Sequence, residues 1–101
     1  MKLHDNKIPL RKGEFFGACG YGTNIKLYCR VSSITNDIVY CNVINGGWKF
    51  TLQMQDFKII MSEGYIEEFI ILVRNVPNFG EDYNLAIYKM NEFLTQAHQL
   101  P

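Results

Sequence analysis

The sequence lacks the features that mark membrane-spanning and exported proteins. Its longest uninterrupted apolar run is Phe69–Val73, whereas a membrane helix needs roughly 20 apolar residues. The opening residues MKLHDNKIPLRKGEFF contain no apolar core of the kind that a signal peptide requires. We therefore expect a protein that is neither exported nor inserted in a membrane.

Cysteine and histidine are too few and too scattered to suggest a disulfide framework or a metal site. The three cysteines, Cys19, Cys29 and Cys41, are odd in number and show no Cys-x-x-Cys spacing. The two histidines, His4 and His98, lie near opposite ends of the chain, so no zinc-ligand spacing arises. This pattern favours a reducing cytoplasm and predicts neither a metal nor a cofactor.

The chain as a whole has no net charge, but its two parts do. Ten basic residues balance ten acidic ones, so a sequence-independent attraction to nucleic acid or anionic lipid is not expected. Residues 1–61 carry eight Lys and Arg against four Asp and Glu, a net of +4, and residues 62–101 carry two against six, a net of −4. The two parts either attract one another within the fold or leave a basic contact surface on the first part.

Length and composition predict one globular domain. The 101 residues are 48% hydrophobic, 14% aromatic and 20% charged, which argues against disorder and against a coiled coil. We divide this single domain, residues 1–101, into a basic N-terminal segment at 1–12, a mostly β region at 13–76 and a C-terminal helix at 78–99.

Residues 26–55 have the clearest local pattern, because apolar side chains recur at every second position in three successive runs. A period of two indicates half-buried strands. The three runs therefore predict a three-stranded antiparallel meander. Their apolar positions are Leu27, Cys29 and Val31, then Val39, Cys41 and Val43, then Trp48, Phe50, Leu52 and Met54.

The turns between these strands predict their register. Asn45-Gly46 is typical of a two-residue type I′ turn, in which both residues need a positive φ. A loop at Gly46-Gly47 would keep the same side chains on each face. Residues 35–37 fit a three-residue loop between the first two strands. The pairs predicted from these turns are Val43–Trp48, Cys41–Phe50, Val39–Leu52, Val31–Cys41 and Cys29–Val43.

The segments that follow the meander continue the sheet less regularly. Phe57–Met61 predicts a fourth strand. The β-branched residues of Phe69–Val73 favour a fifth strand, which returns through residues 62–64 and sets Lys58 opposite Glu68. The apolar spacing of residues 66–73 also fits a helix, so both interpretations of residues 65–74 stay open.

The last element is an amphipathic helix of about five turns. Asn78 and Glu81 resemble a capping box just after Pro77. The sequence thus predicts an α+β fold: a bent antiparallel β-sheet of four to five strands with this C-terminal helix packed on its apolar side. The short meandering strands also fit a small SH3-like barrel. The apolar stripe of the helix is Tyr83, Ile87, Met90, Leu94 and Ala97, widened by Ala86 and Phe93.

No group of residues supports catalysis. The glycines of GACGYG, residues 17–22, match neither a P-loop nor a dinucleotide fingerprint and indicate a bend or bulge that enters the sheet. Cys19 among them has no neighbouring base in the sequence. The acidic pairs Glu67-Glu68 and Glu81-Asp82 are explained by strand geometry and by helix capping. We expect a protein without enzymatic activity.

The candidate site lies on the face of the meander that alternates with the apolar residues. In the predicted register Arg30, Asn42 and Lys49 form one cross-strand row, flanked by two tyrosines. Such a face suits contact with a protein, and it equally resembles the aromatic and basic surfaces that hold single-stranded nucleic acid. It also matches an ordinary solvated sheet face. The candidate binding residues are Tyr28, Arg30, Tyr40, Asn42, Lys49 and Gln53.

These observations favour a non-catalytic protein-binding module, an adaptor or inhibitor that covers a surface of another protein. The first alternative is a single-stranded nucleic-acid-binding protein that adds Lys7, Arg11 and Lys12 to the same face. The second is a binder of a small nucleotide or metabolite at a protomer interface. An exposed edge strand also allows a homo-oligomer. In size and in its richness in Ile, Asn and Lys, the chain resembles short proteins encoded by phages and mobile elements.

Overall fold

The fold consists of six strands and one helix over the residues that the computed structural model describes, 8–20, 26–64, 69–74 and 82–99. The chain runs from the strands to the helix, with the longest strand second. The elements are β1 (Phe15–Gly20), β2 (Lys26–Thr35), β3 (Ile38–Val43), β4 (Trp48–Gln53), β5 (Ile59–Ser62), β6 (Phe69–Val73) and α1 (Tyr83–Gln99).

All six strands form one antiparallel sheet in the order β5-β4-β3-β2-β1-β6. The helix α1 packs on this sheet through β1 and β6, which confirms the predicted α+β fold. The sheet has one strand more than the upper predicted number, because Phe15–Gly20 forms β1 before the meander. Within the described residues β5 and β6 are the two free edges. The sheet is therefore open, and the SH3-like barrel is not formed.

The meander of β2, β3 and β4 has the register that the alternation of apolar residues predicts. Arg30 lies opposite Asn42, and Asn42 lies opposite Lys49, so the candidate row is formed. A shift by one residue would move every apolar side chain to the other face, which explains why the pattern alone sets the register. The confirmed pairs are Val43–Trp48, Cys41–Phe50, Val39–Leu52, Val31–Cys41 and Cys29–Val43.

The turn between β2 and β3 is shorter than predicted. Thr35 pairs with Ile38 around the two residues Asn36-Asp37. Their φ angles are 52° and 63°, and positive values at both positions are typical of a type I′ turn. The three-residue loop expected here is wrong, because an irregularity between Val31 and Ser33 takes up the additional residue of β2.

The turn between β3 and β4 spans residues 44–47, and only Gly47 within it has a positive φ, 72°. The type I′ turn expected at Asn45-Gly46 is therefore wrong. The side chain of Asn45 bridges to β2 instead: its Oδ1 accepts a hydrogen bond from the amide of Tyr28 and its Nδ2 donates to the carbonyl of Lys26, both at 3.1 Å. These bonds fasten the turn to the neighbouring strand.

The strand β6 confirms the strand interpretation of residues 69–73. It pairs with β1, so the expected hairpin between Phe57–Met61 and Phe69–Val73 is wrong. Glu68, predicted to lie opposite Lys58, is outside the described residues. The fourth predicted strand begins later, at Ile59, because Phe57 has a φ of 59° that is incompatible with an extended strand. The pairing of β1 with β6 shifts register between residues 17 and 18, in the glycine-rich segment where a bulge was predicted.

The main core lies on the face of the sheet that carries the alternating apolar residues, which we call the inner face. Phe16 of β1 contacts Phe50 of β4, with ring centroids 6.4 Å apart. In a flat sheet these strands would be separated by about 14 Å, three strand spacings. The sheet is therefore strongly bent around this core. Its buried residues include Leu10, Phe16, Leu27, Cys29, Val31, Val39, Cys41, Val43, Phe50, Leu52, Phe57 and Ile71.

The helix α1 packs on the opposite face, which we call the outer face. Its Ala86 and Met90 are buried against Phe15, Tyr28 and Val73. The prediction that α1 covers the apolar inner face is wrong. The bend of the sheet already encloses that face, so Ala86 and Met90 of the helix stripe are buried in a second, smaller core instead.

A buried arginine closes the gap between the two sheet edges. Arg74 follows β6 and is 1% exposed. Its Nε donates to Oε2 of Glu14 at 3.0 Å and its Nη2 donates to Oε1 at 3.1 Å. The guanidinium also donates to the carbonyls of Ile8 and Pro9 and lies 5.5 Å from the ring centroid of Phe57, which precedes β5. Arg74 thus joins the β6 edge to the N-terminal segment and to the turn before β5.

The helix α1 begins at Tyr83, later than the predicted start at Asn78. Asp82 caps it: its Oδ1 accepts a hydrogen bond from the amide of Leu85 at 3.0 Å, and its carbonyl accepts one from the amide of Ala86 at 3.1 Å. Asn78 and Glu81, the predicted capping residues, are outside the described residues. In the described part of the chain no helix is long and apolar enough to cross a membrane.

Candidate functional site

The helix divides the outer face of the sheet into two halves. It contacts the side formed by β6, β1 and β2, which we call the covered half. The outer sides of β3, β4 and β5 form the open half, where Tyr40 is 39% and Met61 69% exposed. The predicted site residues are distributed over both halves, so the two groups have different roles.

Tyr28 belongs to the covered half. Its side chain is 8% exposed, and its hydroxyl donates to Oδ1 of Asn91 on α1 at 2.8 Å. Burial raises the pKa of the Tyr28 hydroxyl. The expectation that Tyr28 faces solvent is wrong, because α1 packs on the face that the sequence analysis left open. In this structure Tyr28 attaches the helix to the sheet.

Arg30 also holds the helix. Its guanidinium carbon lies 4.9 Å from the ring centroid of Phe15 and 5.5 Å from that of Tyr83, the first residue of α1. Its Nη1 donates to the hydroxyl of Tyr83 at 3.2 Å, and its Nε donates to the carbonyl of Gly13 at 3.3 Å. Arg30 is therefore half-buried between the sheet and the start of the helix, and its cation already faces two aromatic rings.

The open half brings three of the six predicted residues together: Tyr40, Asn42 and Lys49. They border a cleft of about 410 Å³ that runs across β3 and β4 towards β5. The cleft combines an exposed aromatic ring, an amide, a cation and an exposed thioether. The lining residues that matter for its chemistry are Tyr40, Asn42, Lys49, Thr51, Met61 and Glu63.

Met61 and Glu63 complete the cleft, and the sequence analysis did not include them. Met61 lies opposite Thr51 on β5. The carboxylate Oε1 of Glu63 accepts a hydrogen bond from the amide of Lys49 at 2.7 Å, and the amide of Glu63 donates to the carbonyl of Lys49 at 3.0 Å. These bonds place a carboxylate beside the strand that carries the Lys49 cation.

A second, smaller cleft of about 220 Å³ lies between the β3–β4 turn and the start of α1. Asn42 and Lys49 line both clefts, whereas Trp48 and Tyr83 line only the second one. The indole of Trp48 leaves no room at its two glycine neighbours. A Cβ on Gly46 would lie 2.6 Å from its Nε1, and a Cβ on Gly64 would lie 3.0 Å from its Cζ2. Because Asn42 and Lys49 line both clefts, they form the ridge between these two concave surfaces.

The remaining basic and polar candidates lie away from the clefts. Gln53 is exposed at the end of β4, opposite Ile38, and does not line either cleft. Arg11 and Lys12 are exposed on the N-terminal segment and line neither cleft. Lys7 is outside the described residues. The structure therefore does not bring the described part of the basic N-terminal segment, residues 8–12, to either cleft.

The cysteines are structural. Cys29 and Cys41 are buried in the inner core, as predicted, and Cys19 is 7% exposed; all three are free thiols. Burial, with a smaller contribution from the neighbouring Cys41, raises the pKa of Cys29 well above its usual value. Burial raises the pKa of Cys41 to about 12. Neither of these two thiols forms the thiolate that nucleophilic chemistry needs near neutral pH.

Comparison with known proteins adds no relative. No protein-family model, curated protein or solved structure matches this chain. Over the described residues no group of three or more His, Cys, Asp or Glu side chains is arranged to hold a metal ion. The chemistry of the open half is therefore the basis for a functional proposal.

Proposed function

We propose that this protein is a non-catalytic binding module that docks another protein on the open half of its outer face, as an adaptor or inhibitor. The observation that carries this proposal is the incomplete cover provided by α1. Tyr40 and Met61 stay exposed in the cross-strand row beside the ridge formed by Asn42 and Lys49, and both line a cleft of about 410 Å³.

The composition of this surface suits a protein partner. Tyrosine and methionine are enriched at protein interfaces, where a few buried anchors carry most of the binding energy. A partner side chain that enters the cleft would contact the Tyr40 ring and the Met61 thioether. Asn42 and Lys49 would supply hydrogen bonds and charge at the margin of the contact.

The same surface is a weaker match for single-stranded nucleic acid. Such binding combines several stacking aromatics with a groove of positive charge that follows the phosphates. Tyr28 and Arg30, two of the residues on which that alternative depends, hold the helix instead. Among the described residues Lys49 is then the one cation that lines the larger cleft, and the Glu63 carboxylate lines it too.

The proposal is tested by affinity capture from cells that produce the protein. The site variant is Tyr40→Ala with Lys49→Glu. The matched control is Tyr88→Ala with Lys89→Glu, because Tyr88 is 64% exposed and Lys89 is also exposed on the outer side of α1. A partner captured by the wild type and the control should be lost with the site variant. Loss of an anchor costs on the order of 1 to 4 kcal/mol, which titration calorimetry with the purified partner would measure.

Two results would contradict the proposal. Identical captured proteins from the wild type and the site variant would show that the open half is not the docking surface. Binding to mixed single-stranded oligonucleotides, with an affinity that falls steeply with salt at a slope of about −0.7 per phosphate, would favour the nucleic-acid alternative.

The size of the cleft favours a second candidate function. A volume of about 410 Å³ lies within the roughly 300 to 1,000 Å³ of small-molecule sites. We therefore also propose that a nucleotide-sized or metabolite-sized ligand can occupy it. Native mass spectrometry of freshly purified protein should then show an additional bound mass, which the Tyr40→Ala/Lys49→Glu variant loses. A bound mass that this variant retains would place the ligand elsewhere.

A further inference from the structure

The outermost strand β5 ends the sheet with an apolar edge. It has one neighbour, β4, so its other side has no partner strand within the described residues. Ile60 is 49% and Met61 69% exposed. An unpaired strand edge with exposed apolar side chains is a template for pairing with a further strand.

The charges at the two ends of this edge are opposite. Lys58 precedes β5 and Glu63 follows it, and both are exposed. The backbone amide of Gln53 donates a hydrogen bond to the carbonyl of Lys58, and the backbone amide of Glu63 donates one to the carbonyl of Lys49. Gln53 and Lys49 both belong to the outer set of β4, so Lys58 and Glu63 lie on the same outer side. The register shift within β5 places them there although five positions separate them in sequence.

We propose that a second copy of this chain is the partner of β5, paired antiparallel about a two-fold axis perpendicular to the sheet. Such an axis keeps the outer face of both copies on the same side, so residues of the same face lie opposite one another. Centred on Met61, the arrangement brings the two Met61 side chains together at the axis. Because the register shift makes Ile59 and Ile60 together occupy one position, Lys58 of each copy then lies opposite Glu63 of the other.

The charge pattern favours self-pairing over pairing with an unrelated strand. A lysine at a sheet edge disfavours pairing with strands that lack an acidic residue at the matching position, because their approach would leave the lysine charge unpaired. In the symmetric dimer each Lys58 meets a carboxylate, and the pair occurs twice. The surface is therefore self-complementary, as a two-fold interface requires.

In a dimer of this kind the larger cleft of one copy lies beside the larger cleft of the other on one face, because Met61 lines this cleft in each copy. This inference does not depend on the proposed protein partner. A monomeric protein could still bind at Tyr40 and Lys49, and a dimer could form without any further ligand. The Lys58 variants test the dimer and the Tyr40→Ala/Lys49→Glu variant tests the protein partner, so either proposal can fail without the other.

The test is the oligomeric state across a concentration series, measured by sedimentation velocity. Wild-type protein should dimerise, and Lys58→Glu or Glu63→Lys alone should weaken association about tenfold or more, because each replaces two attractive pairs by two repulsive ones. The double variant Lys58→Glu/Glu63→Lys should restore the dimer. Lys89→Glu, an exposed charge change on the outer side of α1, should leave it unchanged.

A cross-linking experiment tests the register itself. Met61→Cys should form a disulfide-linked dimer under mild oxidation, because two residues at the axis lie within bonding reach. The matched control Tyr88→Cys, also exposed, should not. The native cysteines are all buried and do not compete. A wild-type protein that stays monomeric throughout, a charge swap that fails to restore association, or Met61→Cys that links no faster than Tyr88→Cys would overturn the inference.

Discussion

The covered and open halves of the outer face lie on one sheet, but α1 buries the first and leaves the second exposed. In the covered half, α1 buries Phe15, Tyr28 and Val73, and Arg30 lies between the sheet and the first residue of the helix. In the open half, Tyr40 and Met61 keep large exposed areas beside a cleft. Tyrosines and cations occur in both halves, so residue type alone does not decide whether a side chain holds the helix or stays available for binding.

The largest expected contrast concerns a buried cation at the β6 edge, Arg74, and an exposed cation of the open half, Lys49. Removing one partner of a buried, hydrogen-bonded ion pair costs roughly 3 to 5 kcal/mol, because the other charge stays buried without a partner. We expect Arg74→Met to lower the free energy of unfolding by about this amount. Lys49→Met, at an exposed site, should change it by about 0.5 kcal/mol or less. Urea denaturation measures both, and equal effects would contradict the difference in burial between the two cations.

The same contrast applies to two methionines. Met90 is fully buried between α1 and the sheet, whereas Met61 is 69% exposed. Met90→Ala should destabilise the protein by roughly 2 to 5 kcal/mol through lost burial and the cavity left behind. Met61→Ala should cost about 0.5 kcal/mol or less. Thermal unfolding of both variants would show the difference, and a small cost for Met90→Ala would mean that α1 is only loosely attached.

Neighbouring residues of β3 extend the comparison to pH, because Cys41 faces the inner core and Tyr40 the open half. Burial raises the pKa of Cys41 from 9.0 to about 12. The unfolded thiol therefore ionises first, and stability that is fully present below pH 9 is lost as the pH rises towards 12. The slope is about 1.4 kcal/mol per pH unit for one group. Denaturation midpoints across this range should fall less in Cys41→Val, and an unchanged slope would contradict the shift.

The smallest expected contrast removes one hydroxyl from each half. Tyr28→Phe deletes the hydrogen bond to Asn91 on α1 and should cost about 0.5 to 1.5 kcal/mol. Tyr40→Phe should leave stability unchanged to within about 0.5 kcal/mol. Chemical denaturation can resolve the difference if both variants unfold in two states. A larger loss for Tyr40→Phe would reverse the assignment of the halves.

The register of the meander was predictable because, when one face of a sheet is buried, only one alignment of the strands places every apolar residue of a period-two pattern on that face. The pairs Val43–Trp48 and Val31–Cys41 depend on that pattern and not on the turn type. The turns were not predictable for two separate reasons. The side chain of Asn45 bonds to β2, a contact that the local sequence does not encode. The turn between β2 and β3 is shortened by an irregularity between Val31 and Ser33.

The position of α1 could not be read from the chain either. Its apolar stripe indicates a buried side but not the face of the sheet that buries it. The buried Phe15 and Val73, both on outlying strands, supply that face. The sequence analysis included neither residue in the predicted core, so Tyr28 and Arg30 were assigned to solvent. Met61 was overlooked because its strand was paired with the wrong neighbour.

Hydroxyl-radical footprinting with residue-level mass spectrometry tests the division of the outer face most directly. Met61 oxidises to the sulfoxide and tyrosine rings are hydroxylated when solvent reaches them, so one experiment compares both halves. At a protein concentration low enough to keep the chain monomeric, we predict rapid modification of Met61 and Tyr40 and protection of Tyr28 beneath α1. Modification of Tyr28 at the same rate as Tyr40 would contradict the account.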